Sequence, residues 1–239
     1  MRSGSPAEGG RLLCILFLWI DALSAGTGRE GVLRVTYAQR INVLLRKLPA
    51  WPIYIAGALP PFWYFYLGIT GGLGVEPINA FEHKLGLLGL QLLIAVLAIT
   101  PLRTWTKVNL IKFRRALGLV TFYIICCHLL VWLVLDVQIP SQIWADILKR
   151  PYITIGMAGL LLMIPVAVTS NDWSIRKLGP KRWKRLHQFT YACIVLGGIH
   201  YVLVLKGFQL QPIVYLTIIF ALLATRVKLP KVSAILSRA

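Results

Sequence analysis

The chain has 239 residues, of which 57% are hydrophobic and only 14% charged. The apolar residues fall in long uninterrupted runs, which excludes an ordinary soluble domain. A formal net charge of +18 does not point to nucleic acid either, because Lys and Arg gather in short segments between the apolar runs, as membrane topology requires.

Residues 1–35 fit poorly with the rest of the chain. Arg2 and Arg11 precede a short apolar run at 12–20, and small residues at 21–28 come after it, in the manner of a signal peptide cleaved near Ala22–Ala25. A cleaved signal would export the segment behind it, yet that segment carries Arg34, Arg40, Arg46 and Lys47. The two observations conflict, so residues 1–35 are assigned to a signal-like or disordered extension outside the core. Residues 36–50 then form a basic cytoplasmic segment, 51–226 a six-helix transmembrane domain and 227–239 a basic cytoplasmic tail.

From Trp51 onward, charge-free runs recur at 51–69, 85–101, 116–135, 152–169, 187–205 and 210–225. Several are near the length that spans a bilayer, and a lone apolar strand could not satisfy its backbone in lipid. The expected fold is therefore all-α, a polytopic membrane helical bundle of about six transmembrane helices. Pro60, Pro61 and Pro165 lie inside runs, where neighbouring helices absorb a bend, and Trp51, Trp105, Tyr152 and Trp183 fall near run ends as an interfacial belt. Nineteen Lys and Arg residues collect on one side of such a bundle, in the segments 34–47, 103–115, 176–185 and 226–238. Only Lys84, Lys149, Arg150 and Lys206 fall on the other. The basic side is expected to be cytoplasmic, with both ends of the core on it.

Four cysteines, Cys14, Cys126, Cys127 and Cys193, show no metal spacing, and the last three lie in apolar runs as small hydrophobes. The histidines are more informative. An ionisable ring in a hydrocarbon-spanning segment is costly and marks a site by default. His128 lies 12 residues beyond Ala116 in the third run, and His200 lies 13 beyond His187 in the fifth. Both are thus about 18–20 Å from the basic edge by helical rise. Matching depth is what two axial ligands of one iron need, and imidazole on both faces gives an electron carrier with no open position for substrate. A single intramembrane histidine serves equally as an interhelical hydrogen-bonding residue; two at one depth favour the ligand pair.

His187 sits at the basic boundary, roughly 140° around an ideal helix from His200, so the two share a face only if the helix distorts, for instance at Gly197–Gly198. His83, beside Glu82 at the other end of the second run, is a further metal-ligand candidate that could equally anchor the helix at the interface. Gly86, Gly89, Gly118, Gly156, Gly159, Gly197 and Gly198 suit close helix packing and would also leave room for a flat macrocycle. Arg114 and Arg115 are candidates for a flavin phosphate, although such residues more often only set topology.

A set of ordered motifs carries a resemblance. GGLG at 71–74, Pro77, His83 followed by Gly86, ITPL at 99–102, RRALGL at 114–119 and His128 come first; RPYITIG at 150–156, TS at 169–170, LHQFTY at 186–191 and IHY at 199–201 come after. Together, over roughly residues 50–228, they resemble the haem-binding membrane subunits of bacterial protein-methionine-sulfoxide reductase systems, within the ferric-reductase-like transmembrane superfamily. The resemblance implies a bacterial cytoplasmic (inner) membrane protein with b-type haem held by His128, His187 and His200, and with FMN. Its electrons would come from the quinone pool or a cytoplasmic flavin reductase. They would pass to a periplasmic molybdenum-cofactor subunit that reduces methionine sulfoxide in proteins, so the sulfoxide chemistry lies on that partner. The competing expectations are a stand-alone membrane ferric or quinone reductase, and a non-redox transporter or scaffold.

Overall fold

The computed structural model describes residues 37–205 and 209–226. The expectations for residues 1–35 and for the tail at 227–239 lie outside them. The described residues are helical, with no strand among them. In order they form α1 (37–47), α2 (Trp51–Ile69), α3 (Pro77–Thr106), α4 (Arg114–Val131), α5 (Pro140–Lys149), α6 (Pro151–Val168), α7 (Asp172–Leu186), α8 (Phe189–Val204) and α9 (Leu210–Ala224).

Contacts divide the chain into two compact units. The smaller comprises the described residues up to Leu48 together with Arg103–Asn109. Within it, Asn42 donates through its amide to the Lys107 carbonyl at 3.0 Å and accepts from the Asn109 backbone N–H at 2.8 Å. One side chain thereby fixes the turn that ends α3, where Lys107 adopts a φ of 62°.

The larger unit holds the remaining helices. Each of the six apolar runs is helical over most of its length, as the all-α multi-pass reading requires. Four stretches are long and apolar enough to cross a bilayer: Pro77–Thr106, Ile111–Val137, Pro151–Val168 and Asp172–Val204. Leu210–Ala224 is apolar but 15 residues long. Trp51–Ile69 is uncharged, but its Trp, Tyr and Pro residues dilute its hydropathy.

Side chains are distributed inside out relative to a soluble protein. Trp51, Phe62, Trp63, Ile69, Val168 and Phe220 are all exposed. An apolar exterior of this extent is stable only against hydrocarbon. The interior is built from α3, α4, α6, α8 and α9. One cluster joins Leu90, Leu93 and Leu97 of α3 to Met163 of α6, Cys193 and Ile194 of α8 and Ile219 of α9. A second joins Phe81 and Leu85 of α3 to Val120, Ile124 and Val131 of α4. Small residues let the backbones approach closely: the methyl a side chain at Gly198 would add falls 2.9 Å from Ile219 and Leu216 of α9.

Local breaks set where the helices end. α4 runs into a single π-helical stretch, Trp132–Val137, closed by Gln138 in the left-handed region at φ 60°. α5 comes next, amphipathic and with no buried residue; Trp144 and Leu148 stay on its surface, as for a helix lying in an interface. Asn171 caps α7, accepting from the Ser174 N–H at 2.7 Å. α7 is in fact two short helices, because Gly179 takes φ 74° and ψ 153° just before Pro180.

The fifth apolar run, expected to be continuous from residue 187, is divided. His187 closes α7 in a turn, and α8 starts only at Phe189. From there α8 passes through Gly197 and Gly198 without interruption. The bend therefore lies at the histidine, not at the glycine pair.

Candidate functional site

A cavity of about 360 Å³ opens inside the larger unit between α3, α4, α6 and α8. His128 and His200 both face it, with ring centroids 6.3 Å apart and ring planes at 79°. The fold thus brings together the two histidines that helical rise places at matching positions along their helices.

Each ring is oriented in the same way. His128 Nδ1 is 3.0 Å from the carbonyl oxygen of Glu82 on α3, and His200 Nδ1 is 2.7 Å from that of Tyr152 on α6. A carbonyl oxygen only accepts, so each Nδ1 is the protonated nitrogen and donates. Each Nε2 is left with its lone pair free, the form in which imidazole ligates a metal.

Both carbonyls are reachable because of a glycine one turn ahead of them. Glu82 is followed four residues later by Gly86, and Tyr152 by Gly156. A side chain at i+4 stacks over the residue at i on a helix face. At Gly86 an added methyl would lie 3.1 Å from His128 Cε1; at Gly156 it would lie 2.8 Å from His200 Nδ1. The two imidazoles fill the space those side chains would take.

The separation of the rings has a chemical meaning. An imidazole nitrogen bonds a metal at roughly 2.0–2.1 Å, which puts each centroid about 3 Å from it and two opposed centroids about 6 Å apart. The observed 6.3 Å fits one metal ion gripped from both sides. Leu90, Leu93, Ile125, Leu160 and Met163 make the surrounding wall apolar, while Gly159 and Gly197 keep it thin. Among the described residues, no group of three or more His, Cys, Asp and Glu side chains gathers to hold a bare metal ion. The pair therefore suits a centre whose remaining ligands come with a flat organic ring.

At one end of the cavity the lining becomes polar, with Asn79, Glu82, His83, Asp136, Arg150 and Tyr152. His83 reaches this mouth, but its Nδ1 is engaged with Asn79, 2.7 Å from Oδ1 and 3.0 Å from the carbonyl. Arg150 bridges Asp146 at 3.2 Å and donates to the Tyr152 hydroxyl at 3.2 Å. That bond is the main reason its guanidinium pKa is raised above an already high ordinary value, so it is a permanent positive charge.

His187 is not part of the cavity lining. Its ring stacks on Trp183 with centroids 3.8 Å apart, and its Nε2 is 3.2 Å from Thr169 Oγ1. Trp183 in turn donates to the Thr169 carbonyl at 2.8 Å. Arg114 and Arg115, adjacent in sequence, face different partners. Arg115 pairs with Asp172 at 2.6 Å, whereas Arg114 lies against Tyr191. The participation of Glu82, Tyr152 and Arg150 has no plain signal in the sequence; the glycine at i+4 is the one feature that could have exposed the first two.

Comparison with known proteins gives a consistent result. Residues 85–198 match the family model described as ferric reductase like transmembrane component. The chain is 49% identical over 183 residues to the protein-methionine-sulfoxide reductase heme-binding subunit MsrQ of Agrobacterium fabrum (strain C58), covering 76% of this chain and 85% of the relative. It is 46% identical over 181 residues to the proteins of the same name from Brucella ovis and Brucella canis, covering 75% of this chain and 82% of each. No solved structure matches.

Proposed function

The chain belongs to the family of MsrQ heme-binding subunits of protein-methionine-sulfoxide reductases, and from that membership we propose a transmembrane electron conduit built around His128 and His200. Its coarse character is that of a multi-pass membrane subunit for electron transfer. The finer reading is that a b-type haem sits between α4 and α8. When bound, the haem would supply a one-electron redox centre, with His128 and His200 the residues that would hold it.

The chain's own residues account for how such a group would be held. His128 and His200 would hold the group through Nε2, and the Glu82 and Tyr152 carbonyls fix the tautomer of each ring. Gly86 and Gly156 give the rings their places. The apolar wall excludes water, which lowers the local dielectric and tunes the potential of whatever it surrounds. Arg150, Tyr152 and His83 lie at the polar mouth, where charged edges of a planar ligand can emerge. His187 would ligate a separate, second haem nearer the basic end, since it lies outside the cavity; His83 would assist at the opposite end.

On this reading the basic end faces the cytoplasm of a bacterial inner membrane, by the excess of Lys and Arg there. Electrons enter from quinone or a cytoplasmic flavin reductase, with FMN held through its phosphate at the basic end. They leave to a periplasmic molybdenum-cofactor subunit, where methionine sulfoxide is reduced. Donor, flavin and acceptor are drawn from family resemblance.

The single observation that supports the reading best is the opposed pair of imidazoles, 6.3 Å apart, each with Nδ1 tied to a backbone carbonyl. The test is the visible spectrum of the purified protein with pyridine-haemochrome quantification. His128→Ala and His200→Ala each lose the Soret band that shifts on reduction. Full haem in both variants overturns the assignment.

A further inference from the structure

The basic end of the larger unit contains an arrangement that neither the imidazole pair nor the topology explains. Arg226, just beyond α9, turns inward. Its Nη2 donates to the Leu97 carbonyl at 2.6 Å and its Nη1 to the Tyr191 hydroxyl at 3.0 Å, with the guanidinium carbon 5.3 Å from that ring's centroid. Its Nε is buried and has no hydrogen-bond partner among the described residues. Arg114 reaches the same hydroxyl from α4 and lies close to Arg226, while His187 is a further neighbour of Arg114.

Two like charges thus converge on one neutral phenol. An orphaned buried donor is costly, and a guanidinium never gives up its proton to relieve repulsion. Among the described residues no carboxylate offsets the pair. The one acid at this end, Asp172, is engaged by Arg115. Glu82 and Asp136 line the distant mouth of the cavity, and Asp146 is bound to Arg150. With the Arg226 guanidinium donating to the Tyr191 oxygen, the phenol's own O–H can donate elsewhere. There is also room: a methyl at Gly118, one turn beyond Arg114 on the same face of α4, would meet nothing within 4 Å.

We propose that Arg114, Arg226 and Tyr191 form an anion site for a phosphate group, borne either by a phospholipid headgroup or by flavin mononucleotide. Two guanidinium forks and a phenolic O–H offer more donors than the two oxygens of a carboxylate can accept. A phosphate has the extra oxygens and charge to match them. The site is not the Arg114–Arg115 pair that adjacency in the sequence suggests. The two side chains lie about 100° apart on the helix, and Arg115 already has Asp172. The flavin source rests on the proposed function; the lipid source does not.

Paired probes differing only in the phosphate test this on the purified full chain: FMN against riboflavin by fluorescence quenching, and dioleoylphosphatidic acid against dioleoylglycerol by native mass spectrometry. In at least one pair the phosphate-bearing probe binds about tenfold tighter or more. Arg226→Gln and Tyr191→Phe each reduce that preference severalfold, and Arg176→Gln leaves it intact. Arg226→Lys keeps the charge but not the fork, gives an intermediate preference, and replaces Arg226→Gln if the latter fails to fold. A preference for FMN alone assigns the site to the flavin, and one for the phosphatidic acid alone assigns it to lipid. Equal binding within both pairs, or a wild-type preference surviving in the Arg226 and Tyr191 variants, overturns the site. Visible spectra of the same samples separate the two ideas: a colourless wild-type protein removes the conduit while the phosphate comparison stands or falls by itself.

Discussion

Replacing Gly156 by alanine tests whether the imidazole pair is held as tightly as its geometry implies. The added methyl would lie 2.8 Å from His200 Nδ1 and 2.9 Å from Cε1, and ordinary contact begins near 3.4 Å. The ring must therefore withdraw by about 0.6 Å, and Nδ1 is the atom that donates to the Tyr152 carbonyl at 2.7 Å. Either that bond lengthens to about 3.3 Å and weakens, or the whole ring is displaced from its place beside His128. Loss of an orienting partner typically costs 10–100-fold in metal affinity, about 1.4–2.7 kcal/mol. Gly86→Ala asks less of His128, since its methyl stands 3.1 Å from Cε1, and its effect should be smaller. Gly159→Ala, on the same helix, meets Leu196 at an unstrained 3.6 Å and serves as control. Haemin titration of the apo-protein, followed at the Soret band, gives the affinities. If Gly156→Ala binds like wild type, or if Gly159→Ala is impaired equally, the imidazoles are not confined as argued.

Other expectations rest on single contacts. Cys126→Ser leaves the visible spectrum unchanged, because Cys126 is only partly buried and is not among the cavity-lining residues. Asn171→Ala removes the cap of α7 and lowers stability by about 1 kcal/mol, read as a shift of the unfolding midpoint in detergent. Asn42→Ala releases both hydrogen bonds of the turn at Lys107, so trypsin cleaves after Lys107 faster than in the parent protein while the visible spectrum is retained.

What the sequence discloses and what it hides divide along physical lines. Runs such as 152–169 and 210–225 are legible as helices because, in hydrocarbon, uninterrupted apolarity leaves the backbone no alternative. The common level of His128 and His200 is legible because helical rise converts residue number into depth. The π-helical stretch at Trp132–Val137 is not, since WLVLDV contains neither Gly nor Pro to mark it. The carbonyls of Glu82 and Tyr152 are invisible for a different reason: every residue carries one, and only the packed structure shows which are uncovered. In the sequence Gly86 and Gly156 look like general packing positions, whereas in the folded chain they clear the path to those two oxygens. Arg114 and Arg115 look like a pair because adjacency along a chain is easily mistaken for adjacency in space.

The ring planes of His128 and His200 stand nearly perpendicular, at 79°. If an iron porphyrin is seated with that angle preserved, each ligand's filled orbital acts on a different member of the metal's d-orbital pair. The two members then stay close in energy instead of being split. In the oxidised state, frozen-solution electron paramagnetic resonance would carry that near-degeneracy as a widely spread low-spin signal, dominated by one feature at low field. The orientation of two backbone carbonyls on α3 and α6 would thus be readable in a magnetic spectrum.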